Sequence, residues 1–188
     1  MANVIPRVSA SLSLHPTTYS VSSDEPPHLN LTVTSHHNAA ITIFADDLSP
    51  RLITHTGCAL TITDLADGTV VKQTMRTHCR IPLPKRFAVP LDESQFHTLY
   101  PSQSLTFSAQ FTNGVDSLVP GHKYMIAVSR SQRLQWYRVR WWDFGTKEEV
   151  LAKGLDGRQV RYGKGPQEPI DIEITGILEM TMYLEPKY

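Results

Sequence analysis

The sequence predicts an all-β sandwich on three observations. Apolar residues alternate with polar ones in many short segments, turn-forming residues punctuate these segments, and one tyrosine opens a strand directly behind a Pro-Gly turn. In the N-terminal segment Val8, Ala10, Leu12 and Leu14 share one face, with Ser9, Ser11 and Ser13 on the other. Leu29, Leu31 and Val33 alternate with Asn30, Thr32 and Thr34, and Leu105, Phe107, Ala109 and Phe111 with Thr106, Ser108 and Gln110. Tyr124, Ile126 and Val128 repeat the pattern. A period of two with one apolar face means half-buried strands, because successive side chains of a strand point to opposite faces. The tyrosine follows Leu118, Val119, Pro120 and Gly121, which is the layout of a tyrosine corner, so the expected sandwich is immunoglobulin-like and antiparallel.

Turn signals stand at Asp24-Glu25-Pro26-Pro27, His36-His37-Asn38, Asp67-Gly68, Thr112-Asn113-Gly114 and Pro120-Gly121. Three segments depart from a minimal sandwich. Residues 76–95 hold Pro82, Pro84 and Pro90 and read as a long irregular connection. Residues 146–153 read as the short helix, with Thr146 as N-cap, Glu148 and Glu149 in the first turn and Gly154 at the end. A glycine- and proline-rich loop at 163–169 precedes two last strands, at 170–175 and 177–184. At 188 residues the whole chain, 1–188, reads as a single domain.

The segments LTVT from Leu31, ITIF from Ile41 and SPRL from Ser49, the Pro120-Gly121 and Tyr124 corner, and WDFGTKEEVLA from Trp142 together resemble a group of small uncharacterised fungal proteins. The resemblance spans most of the chain and implies the sandwich pattern. It brings no activity and no site residue.

Charge narrows the function classes. Lys+Arg and Asp+Glu both number 18, so the chain lacks the positive field that draws nucleic acid or an anionic membrane surface. The N-terminus has no apolar core of a secretory signal, and no run approaches the roughly 20 apolar residues that span a bilayer. A cytoplasmic location is therefore expected, with Cys58 and Cys79 as free thiols; in an oxidising compartment the same two could form a bridge.

Residues 134–144 hold all three tryptophans. Read as a strand, one face carries Gln135, Tyr137, Val139, Trp141 and Asp143 and looks like core. The other interleaves Trp136, Arg138, Arg140 and Trp142. Guanidinium and indole side by side can stack on and hydrogen-bond a small apolar or acidic ligand, which makes these four the candidate ligand-binding residues. They can equally cover a solvated sheet face. Asp143 follows three aromatics and precedes the helix, so it is the candidate catalytic acid or base. It can also cap the turn or pair with an arginine.

His55, Cys58, His78 and Cys79 hint at zinc, but neither fragment has a zinc-site spacing, and no metal is expected. His36 and His37 read as a solvated loop pair. The chain has no Gly-x-Ser-x-Gly elbow and no phosphate loop, and no cofactor is expected. Two function classes follow. The first is a non-catalytic module that binds a ligand or a protein partner. The second is a small cofactor-independent enzyme, of cyclase or isomerase type, acting on an apolar metabolite, since shape-driven catalysis needs only a lined pocket and one or two polar groups. An exposed edge strand would also allow a homodimer.

Overall fold

Alternating segments become strands throughout the computed structural model, which describes residues 4–20, 25–48, 60–73, 87–88, 93–112, 114–128, 138–153, 159–160, 167, 170–172, 174–175 and 177–183. In chain order these are β1 (Val8–His15), β2 (Thr18–Ser20), β3 (His28–Ser35), β4 (Ile41–Phe44), β5 (Leu60–Asp64), β6 (Phe87–Ala88), β7 (Phe96–Leu99), β8 (Ser104–Gln110), β9 (Lys123–Val128), β10 (Arg138–Phe144), β11 (Gln159–Val160), β12 (Ile170–Asp171), β13 (Ile174–Thr175) and β14 (Ile177–Tyr183). Among the described residues the α-helix is α1 (Lys147–Ala152).

Two sheets make the sandwich. One has the order β13-β1-β3-β8 and the other β2-β14-β9-β5. With β1, β3 and β8 on one side and β5, β9 and β14 on the other, this is the immunoglobulin-like arrangement of A, B and E against C, F and G. Inward side chains of both sheets, among them Leu12, Leu31, Ile62, Ile126 and Met180, form one buried cluster. The sandwich is not wholly antiparallel, because β13 runs parallel to β1 and β2 parallel to β14. Both exceptions arise where the chain changes sheet. Pro16, which has no N–H to give a ladder, separates β1 from β2. The single strand expected at 170–175 is split into β12 and β13, which join different sheets.

A third sheet, β12-β10-β4-β7, elaborates the sandwich. All four side chains of β4 are buried, since one face of this sheet joins the main core while the other lies under α1. The helix starts as expected. Thr146 accepts a hydrogen bond from the Glu149 N–H at 3.3 Å, and the Glu149 carboxylate accepts one from the Thr146 N–H at 2.8 Å. This capping box satisfies two otherwise orphaned donors. Gly145 makes it possible: its φ is +119°, and a Cβ there would meet the Glu149 carboxylate at 2.9 Å. Within the expected connection at 76–95, Phe87–Ala88 pairs with Gln159–Val160 as a small ribbon. Gly154 lies outside the described residues.

The tyrosine corner is present. Tyr124 is 1% exposed, and its hydroxyl accepts from the Val119 N–H at 2.6 Å and donates to the Val119 carbonyl at 3.3 Å. Burial pushes the phenol pKa up, so the donor stays protonated. Tyr124→Phe takes the acceptor from the Val119 N–H, while the Val119 carbonyl keeps the His122 N–H at 3.2 Å, and should cost about 1–3 kcal/mol, read from urea midpoints. A loss below about 0.5 kcal/mol would show that the corner does not carry its share of stability.

Candidate functional site

The Trp/Arg segment is covered where the structure describes it. In β10, Val139 and Trp141 enter the main core, while Arg140 and Trp142 enter a separate space with Phe44, Phe96 and Val150 below α1. Trp142 is 1% exposed and Arg140 8%. The Arg140 guanidinium sits 4.7 Å from the centroid of the Phe44 ring. Trp142 meets Phe96 edge-to-face at 4.8 Å and 85°. Its indole N–H is buried with no hydrogen-bond partner among the described residues. Positions 140 and 142 therefore present no open stacking face. Trp136 and the side chain of Arg138 lie outside the described residues.

A β-bulge moves Asp143 off the face expected for it. Trp141 is opposite Ile43 and Asp143 is opposite Thr42, so Trp142 has no opposite number and the alternation changes phase. Phe144 then packs edge-on against Trp141 at 5.0 Å, in the place an unbulged strand would give to Asp143. The Asp143 side chain is 35% exposed, pairs with Lys153 at 2.9 Å and accepts from the Phe144 N–H at 2.9 Å. It is the turn cap and ion pair of the alternative reading, with lysine in place of arginine.

The structure builds a polar cluster that sequence reasoning missed. Asp64 ends β5 in the core-facing phase of Leu60 and Ile62 and is only 7% exposed. One carboxylate oxygen pairs with His122 Nδ1 at 2.7 Å, and the other accepts from the Ala66 N–H at 2.9 Å. The His122 ring stacks 6.5 Å from Tyr124. The cluster ties the turn after β5 to the loop before β9. An acid at a core-phase position was the available signal, but its partner lies 58 residues away.

The His122 bond, then the Ala66 N–H, holds the Asp64 carboxyl below its ordinary pKa of 3.8. A depressed folded-state pKa adds stability that is fully present above the unfolded value and lost as pH falls through the folded one. The part of the stability gap between wild type and Asp64→Asn that comes from the lowered carboxyl pKa should therefore shrink below about pH 3.8. Urea titrations at pH 7, 5 and 3 read this directly. A gap that persists undiminished at the lowest pH would remove the ion pair as its cause.

Among the described residues, a cleft of about 420 Å³ lies between the edges of β7 and β8. His97, Gln95, Leu105, Thr106, Phe107 and Ser108 line it. The His97 ring meets Phe107 edge-on at 5.5 Å and bridges the two edges. Burial, then the charge of Lys147, pushes the His97 pKa below its ordinary 6.5, so the ring is neutral at physiological pH. The cleft thus combines an aromatic floor, hydroxyls, an amide and an uncharged imidazole. A second hollow of about 490 Å³ lies between β1 and β14, lined by Ser13, Leu14, Thr17, Leu178, Glu179 and Thr181, and has no aromatic surface.

Among the described residues, no three metal-ligating side chains gather. His36 Nε2 lies 2.6 Å from the Ser9 hydroxyl, and His37 packs on Phe144 at 5.0 Å. Cys58 and Cys79 lie outside the described residues. Among those described, no helix is long and apolar enough to cross a membrane. No family model matches the chain, and no curated protein matches it in sequence.

Proposed function

We propose that this protein is a non-catalytic binding module, an immunoglobulin-like sandwich that takes a neutral or apolar ligand into the cleft between β7 and β8. The observation that carries the reading is the cleft lining, where Phe107 and a neutral His97 stand side by side in a concavity of ligand size. The Arg140 guanidinium, buried over Phe44, is not open to an acidic ligand. Binding is favoured over catalysis by the state of the acids. Asp143 is ion-paired with Lys153, and Asp64 is held by His122 and the Ala66 N–H, so both carboxylates are already engaged by partners within the protein.

The test is amide chemical-shift mapping with small neutral fragments, indole among them. Shifts should gather at residues 94–97 and 105–108. Shifts that gather around the hollow between β1 and β14, or scatter over the surface, defeat the reading.

A further inference from the structure

Two side chains in the cleft carry hydrogen-bonding capacity that the fold does not use. His97 and Gln95 both line it, and neither the imidazole nor the amide has a hydrogen-bond partner among the described residues. A neutral imidazole offers one N–H and one lone pair, and an amide offers both donors and an acceptor. Both residues are half-buried, so these groups take water or a ligand as their partner. The apolar part of the lining is also within reach. Leu105 and Phe107 pack against the core and yet are only half-buried, and Thr106 and Ser108 beside them are exposed.

Shape points to an aromatic ligand. The His97 and Phe107 rings meet at 83° with centroids 5.5 Å apart, so together they make a corner. A flat ring stacked on one of them presents its edge to the other, and these are the two arrangements that aromatic pairs prefer.

Charge points to a hydroxyl. None of the residues that line the cleft is an acid, a lysine or an arginine, so an ammonium or a carboxylate would enter without a partner. A phenolic O–H has no such cost. It donates to the imidazole lone pair, its oxygen accepts from an amide such as that of Gln95, and it stays un-ionised up to about pH 10.

We infer that the cleft selects a neutral aromatic molecule that carries a hydroxyl, with His97 accepting the hydrogen bond and Phe107 holding the ring. The inference rests on reading the cleft as the binding site. It also makes binding depend on pH. Protonation of His97 removes the lone pair and puts a charge into the cleft, so affinity falls about tenfold for each pH unit below the pKa of the unliganded ring. Lys147 of α1 is the charge that bears on this ring, and β4, β7 and β8 bring no other titratable side chain. Glu93, in the 3-10 turn Glu93–Gln95, is exposed. Asp46 and Asp47 belong to the turn Ala45–Leu48, and their side chains lie outside the described residues.

The test titrates the full chain with p-cresol and with its methyl ether, which keeps the ring and the oxygen but has no O–H to donate. Amide shifts of residues 94–97 and 105–108 report the place of binding, and the ring resonances of His97 report its protonation. At pH 7.5 p-cresol should bind at least tenfold more tightly than the ether and should move the His97 ring nitrogens. That preference should shrink in step with protonation of the His97 ring as the pH is lowered. His97→Phe keeps a ring beside Phe107 and should bind the two compounds within threefold of each other.

Equal affinity at pH 7.5, with both compounds mapping to the cleft, would overturn the inference and leave the binding-module reading intact. The same holds if p-cresol fails to bind while indole still maps there. A preference that survives protonation of His97, or its replacement by phenylalanine, would overturn it too. Should His97→Phe fail to fold, the wild-type comparison and its pH course decide alone. Compounds that map elsewhere would remove both readings.

Discussion

Trp142→Ala is expected to be the most damaging single substitution, lowering stability by about 3–5 kcal/mol. In a chain of 188 residues, that corresponds to a melting point lower by roughly 6–20 °C. The indole is the centre of a small aromatic core, within 5.5 Å of Phe44 and 4.8 Å of Phe96, with Val150 of α1 packed on the same group. Removing it opens a cavity where the helix meets the sheet, and α1 has only six residues with which to hold itself in place. Trp142→Phe should cost less than half as much. It keeps a ring against Phe96 and removes an N–H that has no hydrogen-bond partner among the described residues. Calorimetry on both variants reads the difference. A loss under about 1 kcal/mol for alanine would mean that the aromatic group does not support the helix.

Arg140→Ala should come next, at about 2–5 kcal/mol. A solvated arginine on a sheet face would cost less than about 0.5 kcal/mol, so the measurement separates the two states widely. Arg140 is buried over the Phe44 ring, where its stem contributes packing and its charge a cation–π contact. Arg140→Met keeps an unbranched stem over the ring and should recover only the part of the loss that the stem's packing carries. If methionine is as costly as alanine, the polar contacts of the guanidinium carry the energy instead. Neither variant should alter the shift pattern that fragments produce in the cleft, because Arg140 does not line it.

Local chemistry made several elements legible. Leu29, Leu31 and Val33 announce a half-buried strand whatever they pack on, since the period of two is a property of the strand itself. Thr146 and Glu149 announce a helix start because both partners of the capping box lie within one turn. Tyr124 and Val119 are five residues apart, so the corner is equally local. Alternation also separated Val139 and Trp141 from Arg140 and Trp142 correctly.

Tertiary structure decided what each face meets. Period-two patterning says that two faces differ but not that α1 will pack on the second one, and this is why Trp142 is buried. The bulge opposite Thr42 shifted Asp143 by one position, and a pairing with a strand about a hundred residues earlier leaves no local mark. Asp64 found His122 across 58 residues by the same route. The cleft is the extreme case. His97 and Phe107 belong to different sheets, and two edges become one site only when three sheets close around a common core. The sequence by itself determined the strands, the caps and the corner, because those depend on neighbours in the chain. Which faces are covered, which edges stay open and which side chains meet were settled by packing, because these depend on residues that the chain brings together only when it folds.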